Sequence, residues 1–506
     1  IPRMRFKVVE SQINSPVALT KKFAKEIAQL TEDRYLQLTH LILEKDIPTI
    51  QKSIAKGALS YRELALFYLY RIDKFEGDPQ LRLNAIISLN PDILQEAEEK
   101  DKESKKKGKR HLIFGMPILL KDNIGYDHLP TTAGAAVLSN NYTKDAYIVS
   151  QLKKNGALIL GKSNLSEWAY FFCSGCPLGY SAVGGQTLNP YARMKIETGG
   201  SSSGSGVATA ANYAIATVGS ETSGSILSPS SLNSIVGLKP TPGLLSRSGI
   251  VPISSTLDTP GPMTKNVTDN AILLDAMKGI DTSDDTYPIA PQAEYISQLT
   301  KEKLKDKKFG VFKHLLETPN YATMIEKLKK AGASVYIIEN NAPQLQGFTT
   351  LLNMDMKKDL PAYLNSYAGA DIQVKNIGDI ITYNKENPSL RAPYGQGLFE
   401  GILSDTTQDE SFLKLKSALH ETGKNYLGDL IKNQKLDAIL SINNYHAGIA
   451  AVARFPCLTL PMGYKEINEP QGLTLISLPY QEAKLTKIAY QIEKLGPARK
   501  LPEMYK

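Results

Sequence analysis

The sequence is poor in cysteine: three residues in 506, an odd number that makes no disulfide framework. Cys173 and Cys176 form a lone Cys-x-x-Cys, and Cys457 stands far away beside Pro456. A zinc site would need a second pair or histidines close in sequence, and neither is there, which leaves a local disulfide or two free thiols. Long apolar runs are also missing. None approaches the roughly 20 residues that span a bilayer, so no membrane-spanning helix is expected. No internal repeat, low-complexity linker or break in composition divides the chain, and one domain over residues 1–506 is expected. Ile1 is preceded by no methionine or signal-like segment, which suggests a truncated or processed chain. A soluble protein is expected, cytoplasmic or, if Ile1 marks removal of a signal, periplasmic or secreted.

Hydrophobic residues make up 42% of the chain and charged ones 22%, an ordinary globular balance that argues against extensive disorder. The net charge of +8 hints at nucleic acid until the basic residues are located. Many fall in one run, Lys100 to Arg110, between two apolar segments, where a solvated loop is the simpler account.

The first hundred residues read as helical. Ser60-Tyr-Arg-Glu63 is a capping box opening a helix with Leu64, Phe67, Leu69, Tyr70 and Ile72 as its apolar positions. From about residue 111 strands and helices alternate. Phe114–Leu120, Ala157–Leu160 and Ala214–Val218 are strands, and Asp145–Asn155 is an amphipathic helix ended by Gly156. The alternation resumes late, with strands at 309–312, 334–338, 438–442, 458–460 and 473–478 and helices at 321–330 and about 481–495. The expected fold is α/β: a single domain with a large mixed, mostly parallel sheet covered by helices on both faces. Residues 340–435, more polar and irregular, are expected to form a helical cap over the site.

Three short stretches carry chemistry. Pro117-Ile-Leu-Leu-Lys121 ends a buried strand on a lysine, whose desolvated amine would lose its charge near pH 7 and become a base. Gly199-Gly-Ser201-Ser-Ser-Gly-Ser205 has the small residues that permit close backbone approach, and the small-residue segment from Val207 onward must pack tightly, unlike a linker. Gly219-Ser-Glu-Thr222-Ser223-Gly224-Ser225 follows a strand with a run of backbone N–H groups able to converge as an oxyanion hole. A competing match, Gly200-Ser-Ser202-Ser-Gly204, fits the G-x-S-x-G elbow with His314, His420 or His446 as base. It lacks the strand that should lead into it.

Taken together these stretches resemble the amidase signature family. The likeness is dense over about 110–270, within a signature core of about 95–270, and includes Thr131-Thr-Ala-Gly-Ala135, Leu160-Gly-Lys-Ser-Asn-Leu-Ser-Glu-Trp-Ala169, Gly185-Gln-Thr-Leu-Asn-Pro190, Gly237-Leu-Lys-Pro-Thr241 and Asp258-Thr-Pro-Gly-Pro-Met263. The C-terminal Leu458-Thr-Leu-Pro-Met-Gly463 fits too. The resemblance implies Ser225 as nucleophile, Ser201 as a bridging serine in a cis peptide and Lys121 as base. It implies backbone amides of Thr222, Ser223, Gly224 and Ser225 as the oxyanion hole, and no metal or cofactor. Ser-Glu-Trp168-Ala and Gly219–Ile226 look most like the peptide amidase branch, which takes ammonia from C-terminal peptide carboxamides. Two positions depart from the family's usual pattern: Ser223 replaces Gly or Asp, and Leu227 stands where many members have Arg.

Two rival functions share these residues. One is hydrolysis of fatty-acid or small aryl and aliphatic amides. The other is the glutaminase component of a tRNA-dependent amidotransferase, which would require partner proteins. A monomer acting on a peptide or small-molecule amide, without nucleic acid or membrane span, is the expected state.

Overall fold

A computed structural model of the chain describes residues 4–15, 18–297, 299–496 and 498–506. The capping box forms as expected: Glu63 N–H donates to Ser60 Oγ at 3.0 Å and Ser60 N–H to Glu63 Oε2 at 3.1 Å. The helix it opens, Tyr61–Glu76, buries Leu64, Phe67, Leu69 and Ile72. One strand in this helical region, β1 (Ile86–Leu89), was not evident from its sequence pattern.

The alternating region supplies β2 (Pro117–Lys121), β3 (Leu158–Ser163), a small ribbon of β4 (Tyr180–Ser181) and β5 (Gly185–Gln186), then β6 (Ala216–Glu221), β7 (Val236–Lys239) and β8 (Thr259–Thr264). The late strands are β9 (Lys308–Phe312), β10 (Ser334–Ile338), β11 (Ala438–Ile442), β12 (Cys457–Tyr464) and β13 (Pro470–Ile476). All but the ribbon join one sheet, ordered β1-β3-β2-β6-β8-β7-β12-β13-β11-β9-β10. The protein is a single α/β domain whose mixed sheet is flanked by helices.

Parallel pairing is concentrated in two places: β3-β2-β6, and β11-β9-β10 at one edge. Between them β6, β8, β7, β12, β13 and β11 pair antiparallel, as do β1 and β3. The sheet is therefore mixed as expected, with the parallel bonds at its two α/β units rather than through most of its width. Apolar runs fit either arrangement when both faces are covered, so composition could not separate them.

The small-residue helix Ser203–Ala210 packs on β2, β3, β6 and β8, and on the short helix Leu227–Leu232. Its residues are all buried, which requires side chains no larger than serine, alanine, threonine and valine at this contact. Residues 340–435 contain helices Phe348–Ser366, Ile377–Glu386, Gly397–Ser404 and Asp409–Gly423. Lys105–Lys109, the core of the basic run, are exposed.

Candidate active site

β2 delivers Lys121 to the middle of the parallel unit, with β3 on one side and β6 on the other. The side chain is wholly buried, and its hydrogen-bond partners are neutral. Nζ lies 2.7 Å from Ser201 Oγ, 2.9 Å from Ser220 Oγ and 3.0 Å from the Ser220 carbonyl. Burial pulls the pKa of Lys121 from 10.5 to about 7, partly opposed by the charges of Asp258 and Glu221. An amine so placed is divided between its charged and neutral forms at neutral pH, and in the neutral form it accepts a proton.

The Gly200–Ser201 peptide bond is cis. The loop passes so close to the segment after Ser225 that a Cβ on Gly199, at φ +66°, would lie 2.7 Å from Ser228 Oγ and 2.8 Å from Pro229 N. Ser166 N–H donates to the Ser201 carbonyl at 3.0 Å, and Ser202 N–H to the Ser225 carbonyl at 3.1 Å. The second bond ties the two serine loops together. Among the described residues no hydrogen bond joins the Ser201 and Ser225 hydroxyls, and Ser225 remains half-buried. Ser202, centre of the competing elbow match, is occupied elsewhere: its Oγ donates to the Ser220 carbonyl at 3.0 Å and accepts from Ser220 N–H at 3.2 Å. None of the three candidate histidines is bonded to it. His420 meets the Val452 carbonyl, His446 meets Ser441, and His314 packs at a tilt against Phe312.

Gly224 takes φ +99°, a conformation costly for any residue with a side chain, and turns the chain into Ser225. Glu221 Oε1 accepts from the N–H groups of Ile226 and Leu227 at 2.8 and 2.9 Å. Among the described residues, the preceding four N–H groups, on Thr222, Ser223, Gly224 and Ser225, donate to no protein acceptor. The Thr222 hydroxyl is held by Asp258 Oδ1 at 2.6 Å. Asp258, raised to about 6 by burial, also accepts from the N–H groups of Ile253 and Ser254.

A cavity of about 230 Å³ adjoins this loop, reaching it at Ser220 and Thr222 and bounded by Asn123, Asp258, Tyr363 and Tyr367. Tyr363 lies in the last turns of the 348–366 helix, and Tyr367 is the residue that caps its C-terminal end. Ser220 and Glu221 were missed as individual residues, although they lie inside the quoted Gly219–Ser225 motif, where the strand's extension past Val218 was the missing signal.

A family model for amidases matches residues 63–441. The chain belongs to the amidase signature family. Among solved structures, this amidase-signature enzyme is similar to an amidase family protein from Bacillus anthracis, at TM-score 0.91 and 33% identity over 98% of this chain and 99% of that one. It is also similar to the peptide amidase of Stenotrophomonas maltophilia, at TM-score 0.86 and 35% identity, covering 91% and 99% of the two chains. A glutamyl-tRNA(Gln) amidotransferase chain from Thermotoga maritima aligns at TM-score 0.65 and 25% identity, covering 91% and 96%. Cys173 and Cys176 are joined in a disulfide, and Cys457 is a buried free thiol. Among the described residues no cluster of three metal-ligating side chains occurs, and no helix is long and apolar enough to cross a membrane.

Proposed function

We propose that the protein is a serine-dependent amide hydrolase that removes ammonia from C-terminal peptide carboxamides, with Lys121, Ser201 and Ser225 as its triad. One contact carries the reading: a buried amine, brought by desolvation to a pKa of about 7, lies 2.7 Å from Ser201 Oγ. A serine hydroxyl is a weak nucleophile until an adjacent base takes its proton. As Ser225 Oγ attacks the amide carbon, its proton passes to Ser201 Oγ, and the Ser201 proton passes to neutral Lys121. The Ser225 hydroxyl must close on Ser201 for this, the kind of tightening that substrate binding brings. The four unpaired N–H groups of Thr222–Ser225 support a tetrahedral oxyanion, for which one such donor is worth ~3–4 kcal/mol. The proton returns from Lys121 through Ser201 to the amide nitrogen, the C–N bond breaks, and ammonia leaves an acyl-enzyme. Water then adds to the ester by the same relay, releasing the carboxylic acid and regenerating Ser225.

Similarity to the Stenotrophomonas peptide amidase favours a peptide carboxamide over a fatty or small aryl amide. The weaker alignment with the amidotransferase chain disfavours a glutaminase component. The deciding experiment is mass spectrometry of a peptide amide incubated with wild-type and Ser225→Ala enzyme. A gain of about one dalton at the C-terminus, absent with the variant, is expected. Ammonia release from an aryl or fatty amide alone would move the substrate class.

A further inference from the structure

The turn Asn443–His446, between β11 and the helix Ala447–Ala453, is far from the serine loops in sequence and stands against one of them in space. A Cβ on Gly224 would lie 3.1 Å from Asn444 Nδ2 and 3.6 Å from Ala447 Cβ, and one on Gly448 would lie 3.8 Å from Ser223 Oγ. The turn therefore borders the loop that carries Ser225, on its Ser223–Gly224 side.

Its two outer residues are pinned. Asn443 N–H donates to the Gly472 carbonyl at 2.9 Å, and Gly472 N–H returns a bond to Asn443 Oδ1 at 2.8 Å. The Asn443 carbonyl accepts from Thr474 Oγ1 at 2.5 Å. At the other end His446 Nδ1 meets Ser441 Oγ at 2.6 Å, and its ring lies flat on Phe312 with centroids 3.9 Å apart. Burial holds this imidazole neutral, its pKa lowered to about 4.

The two middle residues are the reverse. Asn444 is exposed and Tyr445 is 57% exposed. Among the described residues the Asn444 carboxamide and the Tyr445 hydroxyl have no hydrogen-bond partner, while backbone bonds at Tyr445 N–H and Ala447 N–H keep the turn closed. The fold fixes the backbone beneath two side chains that it leaves unpartnered. A rigid turn bearing a free amide and an aromatic ring loses little entropy on contact, which is what recognition of a flexible chain needs.

We propose that Asn444 and Tyr445 are specificity-determining residues that hold the peptide portion of the substrate. Asn444 hydrogen-bonds a main-chain amide next to the scissile carboxamide, and Tyr445 packs against an adjacent side chain. A small amide ends before reaching them. This rests on the reading of Ser225 as nucleophile.

The test compares an amidated tripeptide with propionamide as substrates for wild-type, Asn444→Ala and Tyr445→Ala enzymes. Each variant is expected to raise KM for the tripeptide about five- to tenfold, with kcat within about twofold and kcat/KM for propionamide unchanged. Asn444→Ser and Tyr445→Phe, which keep a polar group and a ring, should recover part of the loss and serve if an alanine variant folds poorly. Equal losses on both substrates, or none on the tripeptide, would overturn the proposal. A Ser225→Ala enzyme that stayed active would instead overturn the reading beneath it.

Discussion

Two buried lysines sit side by side in the sheet, Lys121 at the end of β2 and Lys162 in β3, where Leu120 faces Lys162 and Lys121 faces Ser163. Both are completely shielded from solvent, and burial lowers the pKa of each below 10.5. Their partners differ. Lys162 Nζ lies 3.1 Å from the Asp122 carboxylate, 2.6 Å from the Ile124 carbonyl and 3.0 Å from Thr131 Oγ1, so its charge is matched by a buried anion. Lys121 reaches only hydroxyls and a carbonyl. The same residue type, in adjoining strands, is held as a paired cation in one place and, on the proposed reading, serves as a proton acceptor in the other. What separates them is whether a carboxylate lies within reach, not how deeply they are buried.

The comparison is sharpened most by removing each amine in turn. Lys121→Met should reduce kcat about 10²- to 10⁴-fold in a folded enzyme, measured by steady-state ammonia release with circular dichroism as the control for folding. Undiminished turnover would remove Lys121 from the chemistry. Lys162→Met should cost about 3–5 kcal/mol of stability, because Asp122 is left buried without its counter-charge. Denaturant melts read this loss. A cost under about 1 kcal/mol would mean the ion pair is not what holds this corner together.

The two substitutions should also move stability in opposite directions. Folding lowers the pKa of Lys121 from 10.5 to about 7, so between these values the folded protein binds fewer protons than the unfolded chain. Stability should therefore rise with pH across that window, the cost of burying the amine being full below about 7 and relieved toward 10.5. Lys121→Met should flatten that slope and raise the melting temperature at pH 6–7; a lowered one would contradict the assignment. The acid limb of kcat/KM should likewise titrate near pH 7, activity increasing as the amine is freed of its proton. A flat profile from about pH 6 to 8 would exclude a neutral-amine base. The smallest effect is expected from Asp258→Asn. Removing a charge that favours protonated Lys121 should shift the acid limb downward by a fraction of a pH unit.

Much of this site could be read from the sequence because its parts are local. A strand ending on lysine and two loops of glycine and serine each announce themselves within a few residues. The Tyr61–Glu76 helix was legible for the same reason, its capping box and apolar spacing lying in one segment. Contacts between distant segments were not. Nothing in Asn443–His446 indicates that it lies against Gly224, since that proximity depends on where β11 stands in the sheet. The Cys173–Cys176 pairing stayed open because the spacing suits both a bridge and free thiols. Strand direction was hidden too: a buried strand presents the same apolar run to parallel and antiparallel neighbours, so the antiparallel centre left no local mark.

Glu221 has a consequence beyond shaping a turn. By taking up the N–H groups of Ile226 and Leu227, it confines the loop's unpaired donors to Thr222–Ser225. On the proposed reading, that cluster discriminates by charge, not by stage of reaction. The carboxylate product bears an anionic oxygen of the kind the donors favour, whereas the neutral carboxamide does not. The feature that would speed bond breaking would thereby retain the spent acid, and turnover would slow as the free-acid peptide accumulated, competing with its own amide.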